Sequence, residues 1–226
     1  MTGGEQASAG LDWRDGIVPV SQRFDDPYFS LADGLAETRH VFLRGNGLPA
    51  RLCDGFHVAE LGFGTGLNLL AMMIAWAATG APGGMRFTSF EAYPLQAGDM
   101  ARALEAFPEA RAVADPLLEQ WEAGARQLSL PGVEAEVIIG DARETLPAWA
   151  GRADAWFLDG FSPAKNPELW SDDLMRAVAA HTVAGGTFAT YTAAGHVRRA
   201  LTEAGFMVER LPGHGRKRHM TVGVLI

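Results

Sequence analysis

The stretch Val58-Ala59-Glu60-Leu61-Gly62-Phe63-Gly64-Thr65-Gly66-Leu67-Asn68 constrains the fold more than any other part of the chain. An apolar run enters it from Phe56. A helical pattern of Leu69, Leu70, Met72, Met73, Ile74 and Trp76 leaves it. The order expected is strand, glycine turn, helix. Glycine is needed where the backbone takes positive φ or lies against a ligand. The first amides of the helix lack intrahelical partners and make a site for polar or anionic groups. Glu60 stands just ahead of the first glycine.

From residue 57 onward strands and helices alternate. Strands are expected at His57–Leu61, Arg86–Phe90, Glu134–Ile139, Ala155–Leu158, Gly186–Tyr191, Met207–Leu211 and Met220–Leu225. Helices are expected at Asn68–Ala78, Leu95–Ala106, Arg143–Ala148, Glu168–His181 and Gly195–Ala204. An inserted amphipathic helix is expected over Leu117–Leu128, among Pro108, Pro116 and Pro131. Such alternation implies an α/β fold with a mostly parallel sheet covered on both faces. Pro212–His219 is too short for a helical crossover, so the last strand should be antiparallel. The fold class expected is therefore Rossmann-like, with a seven-stranded, mostly parallel sheet.

Residues 1–56 read as an N-terminal extension folded over the edge or mouth of the sheet, and 57–226 as one compact domain. Pro19, Asp25-Asp26-Pro27, Gly34, Gly45-Asn46-Gly47 and Pro49 punctuate the extension. Short strands are expected in it at Gly16–Val20 and Arg39–Leu43. The apolar fraction of 48% and charged fraction of 20% are those of a soluble globular protein. The longest apolar stretch, Leu67 to Ala78, falls short of the roughly 20 residues that cross a bilayer. Met1 to Gly10 shows no signal-peptide pattern. The single Cys53 allows no internal disulfide and no cysteine metal cluster. No membrane, no metal and a cytoplasmic location are the expectations.

In open α/β sheets the ligand sits beyond the carboxyl ends of the strands. Those ends carry Gly62–Gly66, Glu91, Asp141 and Asp159. Glu91 is placed to accept from ribose hydroxyls, and Asp141 to meet an adenine edge, with Ala142 leaving room for the ring. An adenosine-type ligand follows. A dinucleotide fingerprint, G-x-G-x-x-G, would need glycine where Leu67 stands. The pattern Glu60-x-Gly62-x-Gly64-x-Gly66 instead resembles motif I of the S-adenosylmethionine-dependent methyltransferases. On that resemblance Glu60, Gly62, Phe63, Gly64, Thr65, Gly66, Asn68, Glu91, Asp141 and Ala142 are the donor-binding candidates.

A second signal follows the strand that ends at Leu158. Asp159-Gly160-Phe161-Ser162-Pro163 is a looser relative of the D/N-P-P-Y/F segment of amino-methylating enzymes. An amine must be neutral to attack a sulfonium methyl, and a carboxylate can orient it and take the proton. Asp159 is the catalytic candidate.

The net charge of −8 argues against a nucleic-acid partner, but its distribution argues the other way. Arg198, Arg199, Arg210, Arg216, Lys217 and Arg218 crowd the C-terminal portion, against Glu203 and Glu209. On charge alone, a solvated face and a phosphate-binding face are both open.

Five segments together make a closer resemblance. They are Asp25–Ser30, Gly34–Leu43, Gly62–Asn68, Asp154–Pro167 and Gly213–Met220. They closely resemble the methyltransferase module of the bifunctional tRNA-modifying MnmC family, over nearly the whole chain. The resemblance implies methylation of 5-aminomethyl-(2-thio)uridine at the tRNA wobble position, with S-adenosylmethionine as donor. It implies that Arg216, Lys217 and Arg218 meet anticodon phosphates. The target base would leave its stack, with Phe161 favoured over Tyr28, Phe29 and Tyr191 as the ring that receives it. Lys165 would pair with a phosphate or the uracil carbonyl, or simply cap its loop. The family's FAD-dependent oxidoreductase module has no counterpart here, so no FAD is expected in this chain, and a separate such oxidoreductase would act upstream. Two other readings stay open: a small-molecule methyltransferase, which would not need the basic run, and a dinucleotide-binding oxidoreductase.

Overall fold

Alternation along Ala155-Trp156-Phe157-Leu158 shows how the sheet is buried. Phe157 packs with Leu69, Met72 and Phe87 on one face. Trp156 and Leu158 pack with Leu146, Met175 and Leu201 on the other. Successive side chains of a strand point to opposite faces, so a continuous apolar run needs cover on both. Each such fully buried side chain contributes about 1.5–3 kcal/mol.

The structure, a computed structural model, describes residues 10–30, 33–215 and 217–226. Strands β1 (Leu11–Arg14), β2 (Val18–Ser21) and β3 (Asp26–Pro27) form a three-stranded antiparallel sheet. Helix α1 (Gly34–Thr38) runs into a wide helical turn over Arg39–Leu43. The main body follows as β4 (His57–Leu61), α2 (Leu67–Thr79), β5 (Met85–Glu91), α3 (Ala97–Leu104), α4 (Pro108–Arg111) and α5 (Asp115–Glu122). Then come β6 (Gln127–Leu130), β7 (Val133–Ile139), α6 (Ala142–Ala148), β8 (Ala153–Leu158) and α7 (Asp172–Ala180). The chain closes with β9 (Thr182–Thr190), α8 (Gly195–Glu203), β10 (Phe206–Pro212) and β11 (His219–Leu225).

The large sheet has the order β10-β11-β9-β8-β4-β5-β7-β6. Strand β4 pairs in parallel with β5 on one side and β8 on the other. Strand β11 is antiparallel to both neighbours, as its short connection requires.

The sheet has eight strands rather than seven. The extra one, β6, lies antiparallel on the edge against β7. It takes the end of the helix expected over Leu117–Leu128. Gly124, at φ +87°, stops that helix. Beyond it Leu128 and Leu130 are buried and Gln127 and Ser129 exposed, which is the period of a strand. Arg39–Leu43 is helical, not a strand. Its Val41, Phe42 and Leu43 are all buried, a run that periodicity alone does not resolve. The helix expected over Glu168–His181 splits into a single turn at Pro167–Trp170 and α7. Ser171 divides them, its hydroxyl accepting from the Leu174 amide at 3.4 Å.

The N-terminal segment is tied to the large sheet through the buried Asn46 and to α3 through an exposed arginine. Asn46, 1% exposed, donates to the carbonyls of Phe42 at 2.9 Å and Trp156 at 3.2 Å. It accepts from the Thr187 hydroxyl at 2.6 Å. Arg102 of α3 donates to the Gly16 carbonyl at 2.8 Å and lies over the Trp13 ring. Among the described residues no helix is long and apolar enough to cross a membrane.

Candidate active site

Strand order reverses between β4 and β8, which opens a crevice at their carboxyl ends. Backbone bonds run one residue past the strands there. Asp159 N donates to Leu61 O at 3.1 Å, Gly62 N to Phe90 O at 2.9 Å and Gly140 N to Glu91 O at 2.9 Å. These bonds set Asp159, Gly62, Glu91 and Gly140 side by side across four strand ends. The crevice is a cavity of about 1450 Å³.

The glycine turn forms one wall. Gly62, Gly64 and Gly66 have φ of +91°, +53° and +77°. A Cβ at Gly62 would stand 2.6 Å from the Asp159 carbonyl oxygen, and one at Gly64 would stand 3.1 Å from the Tyr28 ring. The turn therefore needs glycine both for its torsions and for its closeness to the walls. Glu91 braces it, accepting from Gly64 N at 3.0 Å and Tyr93 N at 2.7 Å. Burial raises the Glu91 carboxyl, against the pull of those amides. Asp141 caps α6, accepting from Arg143 N at 2.9 Å, and Arg143 Nη2 pairs with its Oδ2 at 2.5 Å. Arg143 holds the Asp141 carboxyl below its usual range. Ala142 and Thr65 are buried in the cavity wall.

Asp159 faces the cavity from the end of β8. Its Oδ2 accepts from Asn68 Nδ2 at 2.7 Å. The same amide donates to Glu60 Oε1 at 2.8 Å, and Thr38 donates to Asn68 Oδ1 at 2.9 Å. Burial pushes Asp159 up to about 7; the Asn68 hydrogen bond and Lys217 oppose that rise, and Glu37 adds to it. A carboxyl in that range can take up or release a proton near neutral pH.

Glu60, expected among the donor-binding residues, stands behind the cavity wall rather than in it. It is completely buried, does not line the cavity, and its Oε2 accepts from Ser89 Oγ at 2.6 Å. Both its oxygens have protein partners, one of them the Asn68 amide, and no part of it reaches the cavity surface. Burial raises its carboxyl well above the usual range.

Arg14, Phe24, Asp26, Tyr28 and Glu37 bring the N-terminal segment into the cavity lining. Phe161 packs against Phe24 at 4.8 Å and Tyr28 at 5.0 Å between ring centroids. Ser162 N donates to Asp26 Oδ2 at 2.8 Å, and Lys165 pairs with Asp25 Oδ2 at 2.6 Å. Lys165 is thereby a clasp between its loop and the N-terminal segment. Burial raises the Tyr28 hydroxyl. Tyr191 donates its hydroxyl to Gly160 O at 2.6 Å. Phe29 and Phe63 line the cavity but are buried, their rings packed on Phe107 and Trp121. They build the wall rather than offer a free face.

Lys217 and Arg218, the described residues of the basic run, lie in different surroundings. Lys217 lines the cavity and pairs with Glu37 Oε1 at 2.7 Å. Arg218 is exposed outside the cavity lining. Arg216 lies outside the described residues. Among the described residues no cluster of His, Cys, Asp and Glu is placed to hold a metal. Sequence reasoning missed Glu37, Thr38 and Ser89. The motif around Gly34–Leu43 was the one signal for the first two.

The chain matches a family model described as S-adenosyl-L-methionine-dependent methyltransferase over residues 108–226. The tRNA 5-methylaminomethyl-2-thiouridine biosynthesis bifunctional protein MnmC of Caulobacter vibrioides is 48% identical over 220 residues, covering 94% of this chain and 37% of that protein. The protein of the same name from Aeromonas hydrophila is 45% identical over 232 residues, covering 95% of this chain and 35% of that protein. The chain therefore spans little more than a third of the length of these curated relatives. Among solved structures, MNMC2 from Aquifex aeolicus matches with a TM-score of 0.77 and 28% identity, covering 98% of this chain and 72% of that one.

Proposed function

We propose, for a chain that belongs to the S-adenosyl-L-methionine-dependent methyltransferase family, that the acceptor is the primary amine of 5-aminomethyl-(2-thio)uridine at the tRNA wobble position, converted to the 5-methylaminomethyl form. The observation that carries this reading is Asp159, a cavity carboxyl held by Asn68 at 2.7 Å and pushed up to about 7. The names of the Caulobacter and Aeromonas relatives supply the nucleoside.

The cleft fits an adenosyl donor. Gly62 and Gly64 leave the space a Cβ would fill, Glu91 and Asp141 line the cavity, and Ala142 keeps the wall small. We assign donor binding to Gly62, Phe63, Gly64, Thr65, Gly66, Asn68, Glu91, Asp141 and Ala142, with Glu60 acting through Asn68. Bound S-adenosylmethionine supplies an electrophilic methyl on a sulfonium. Asp159 takes the proton from the acceptor ammonium, which frees the nitrogen lone pair. The walls hold nitrogen and methyl in line, an alignment that can contribute on the order of 7–11 kcal/mol. Phe161, with Tyr28 and Tyr191, offers ring surface to the uracil. Arg218, with Arg216 and Lys217, contacts anticodon phosphates, which position the RNA without specifying sequence. Residues 1–56 serve as the cover and 57–226 as the methyltransferase domain. An FAD-dependent oxidoreductase acting upstream, cytoplasmic action and chemistry without a metal belong to the same reading.

The test is methyl transfer from labelled S-adenosylmethionine to bulk tRNA lacking the terminal methyl, with mass analysis of the digested nucleosides. A one-methyl gain confined to 5-aminomethyl-type uridine is expected. Donor binding with no label in tRNA would move the acceptor to small molecules.

A further inference from the structure

Helix α1 sends two consecutive side chains to the cavity. Thr38 completes the Asn68 network. Glu37 stands beside it with its side chain only 12% exposed, and holds the Lys217 ammonium at 2.7 Å. That ammonium lies 3.9 Å from the centroid of the Tyr191 ring, over its face. The ring is fixed in turn by its hydroxyl bond to Gly160, the residue after Asp159. A carboxylate and an aromatic face, with a second carboxyl nearby, are the features that bind a primary ammonium in a partly dry site.

Lys217 is ill suited to be a permanent part of this arrangement. Its side chain is 43% exposed, on the loop between β10 and β11. A lysine stem is flexible and its head strongly hydrated, so withdrawal to water costs little once another cation takes its place. Such an exchange conserves the charge of the site. Two ammonium groups against the same carboxylate would repel each other instead.

The geometry points to Glu37 and the Tyr191 ring as the seat of the acceptor's primary ammonium, with Lys217 as an internal cation that fills the seat until the acceptor displaces it. This rests on the reading of the acceptor as a primary amine. Glu37 holds the ammonium before reaction and Asp159 takes its proton. The displaced Lys217 joins the exposed Arg218, the next residue, where a phosphate can retain it. RNA then opens the seat better than a free nucleoside does.

The experiment uses the full chain saturated with S-adenosylhomocysteine and follows binding of benzylammonium by ligand-observed NMR. Methyl transfer to free 5-aminomethyluridine is measured in parallel. Lys217→Met is expected to tighten benzylammonium binding and lower the nucleoside KM by about fivefold or more. Glu37→Gln is expected to weaken both by about tenfold, with S-adenosylhomocysteine affinity retained as the check on folding. In the Glu37→Gln background the Lys217→Met effect disappears. Unchanged benzylammonium binding in both variants, or weaker binding in Lys217→Met, overturns the assignment. If the wild type methylates no aminomethyl nucleoside while benzylammonium binding still follows Glu37 and Lys217, the seat stands and the nucleoside reading falls.

Discussion

Asn68 Nδ2 stands 2.7 Å from Asp159 Oδ2 and 2.8 Å from Glu60 Oε1, so one amide group spends both its hydrogens on two carboxyls. Thr38 fixes the amide's oxygen from the far side. The orientation of Asp159 is therefore set by a residue at the start of α2, just past the glycine turn. The glycine turn and Asp159 are thus linked through the side chain of Asn68.

Replacing Asp159 tests the acid. Asp159→Ala is expected to lower turnover by at least about a hundredfold, the usual worth of a positioned proton acceptor. Affinity for S-adenosylmethionine should stay within a few-fold. Labelled-methyl transfer and calorimetry read the two quantities separately. Normal turnover in this variant would remove Asp159 from the chemistry.

The pH profile carries a sign. A carboxyl pushed up to about 7 accepts a proton only when ionised, so kcat/KM should rise with pH through about 7 and then level. The Asn68 hydrogen bond favours the ionised form, so Asn68→Ala should move the rising limb to higher pH. Stability runs the other way. Unfolded aspartate titrates near about 3.9, so the folded state holds the extra proton between that value and about 7. The Asp159 contribution to stability therefore falls as pH rises through that window. Asp159→Asn should accordingly be more stable than the wild type at about pH 8 and show no such gain at about pH 4, read by denaturant unfolding.

Gly62→Ala is expected to damage fold and chemistry together. The backbone is at φ +91° and the new Cβ would meet the Asp159 carbonyl oxygen at 2.6 Å. A cost of about 1–3 kcal/mol in stability is expected from the torsion, with a loss of kcat as Asp159 is displaced. An equally stable, fully active variant would show that the turn has room to move.

Arg218→Ala tests the proposed RNA contact while leaving Lys217 and Glu37 in place. Arg218 is exposed and outside the cavity lining. Loss of one phosphate contact should weaken tRNA binding and reduce the salt slope by about one, with no change in donor affinity. An unchanged slope would place the RNA elsewhere.

The sequence by itself determined the strand–glycine–helix unit, the alternation that builds a parallel sheet, and the row of Glu91, Asp141 and Asp159. Each depends on local torsions or on the rule that ligands lie beyond strand ends, and both are legible in one dimension. Only the tertiary structure decided that Glu60 serves Asn68 and Ser89, that Lys217 turns to Glu37 and Tyr191 while Arg218 faces solvent, and that Gln127–Leu130 adds an edge strand. It also decided that α1, five residues long, delivers Glu37 and Thr38 to the site. A helix that short has no stability of its own, and its place is set by packing against α2 and the helical turn over Arg39–Leu43. Side-chain partners distant in sequence are chosen by that packing and by the need to pair every buried polar group, neither of which local sequence pattern records.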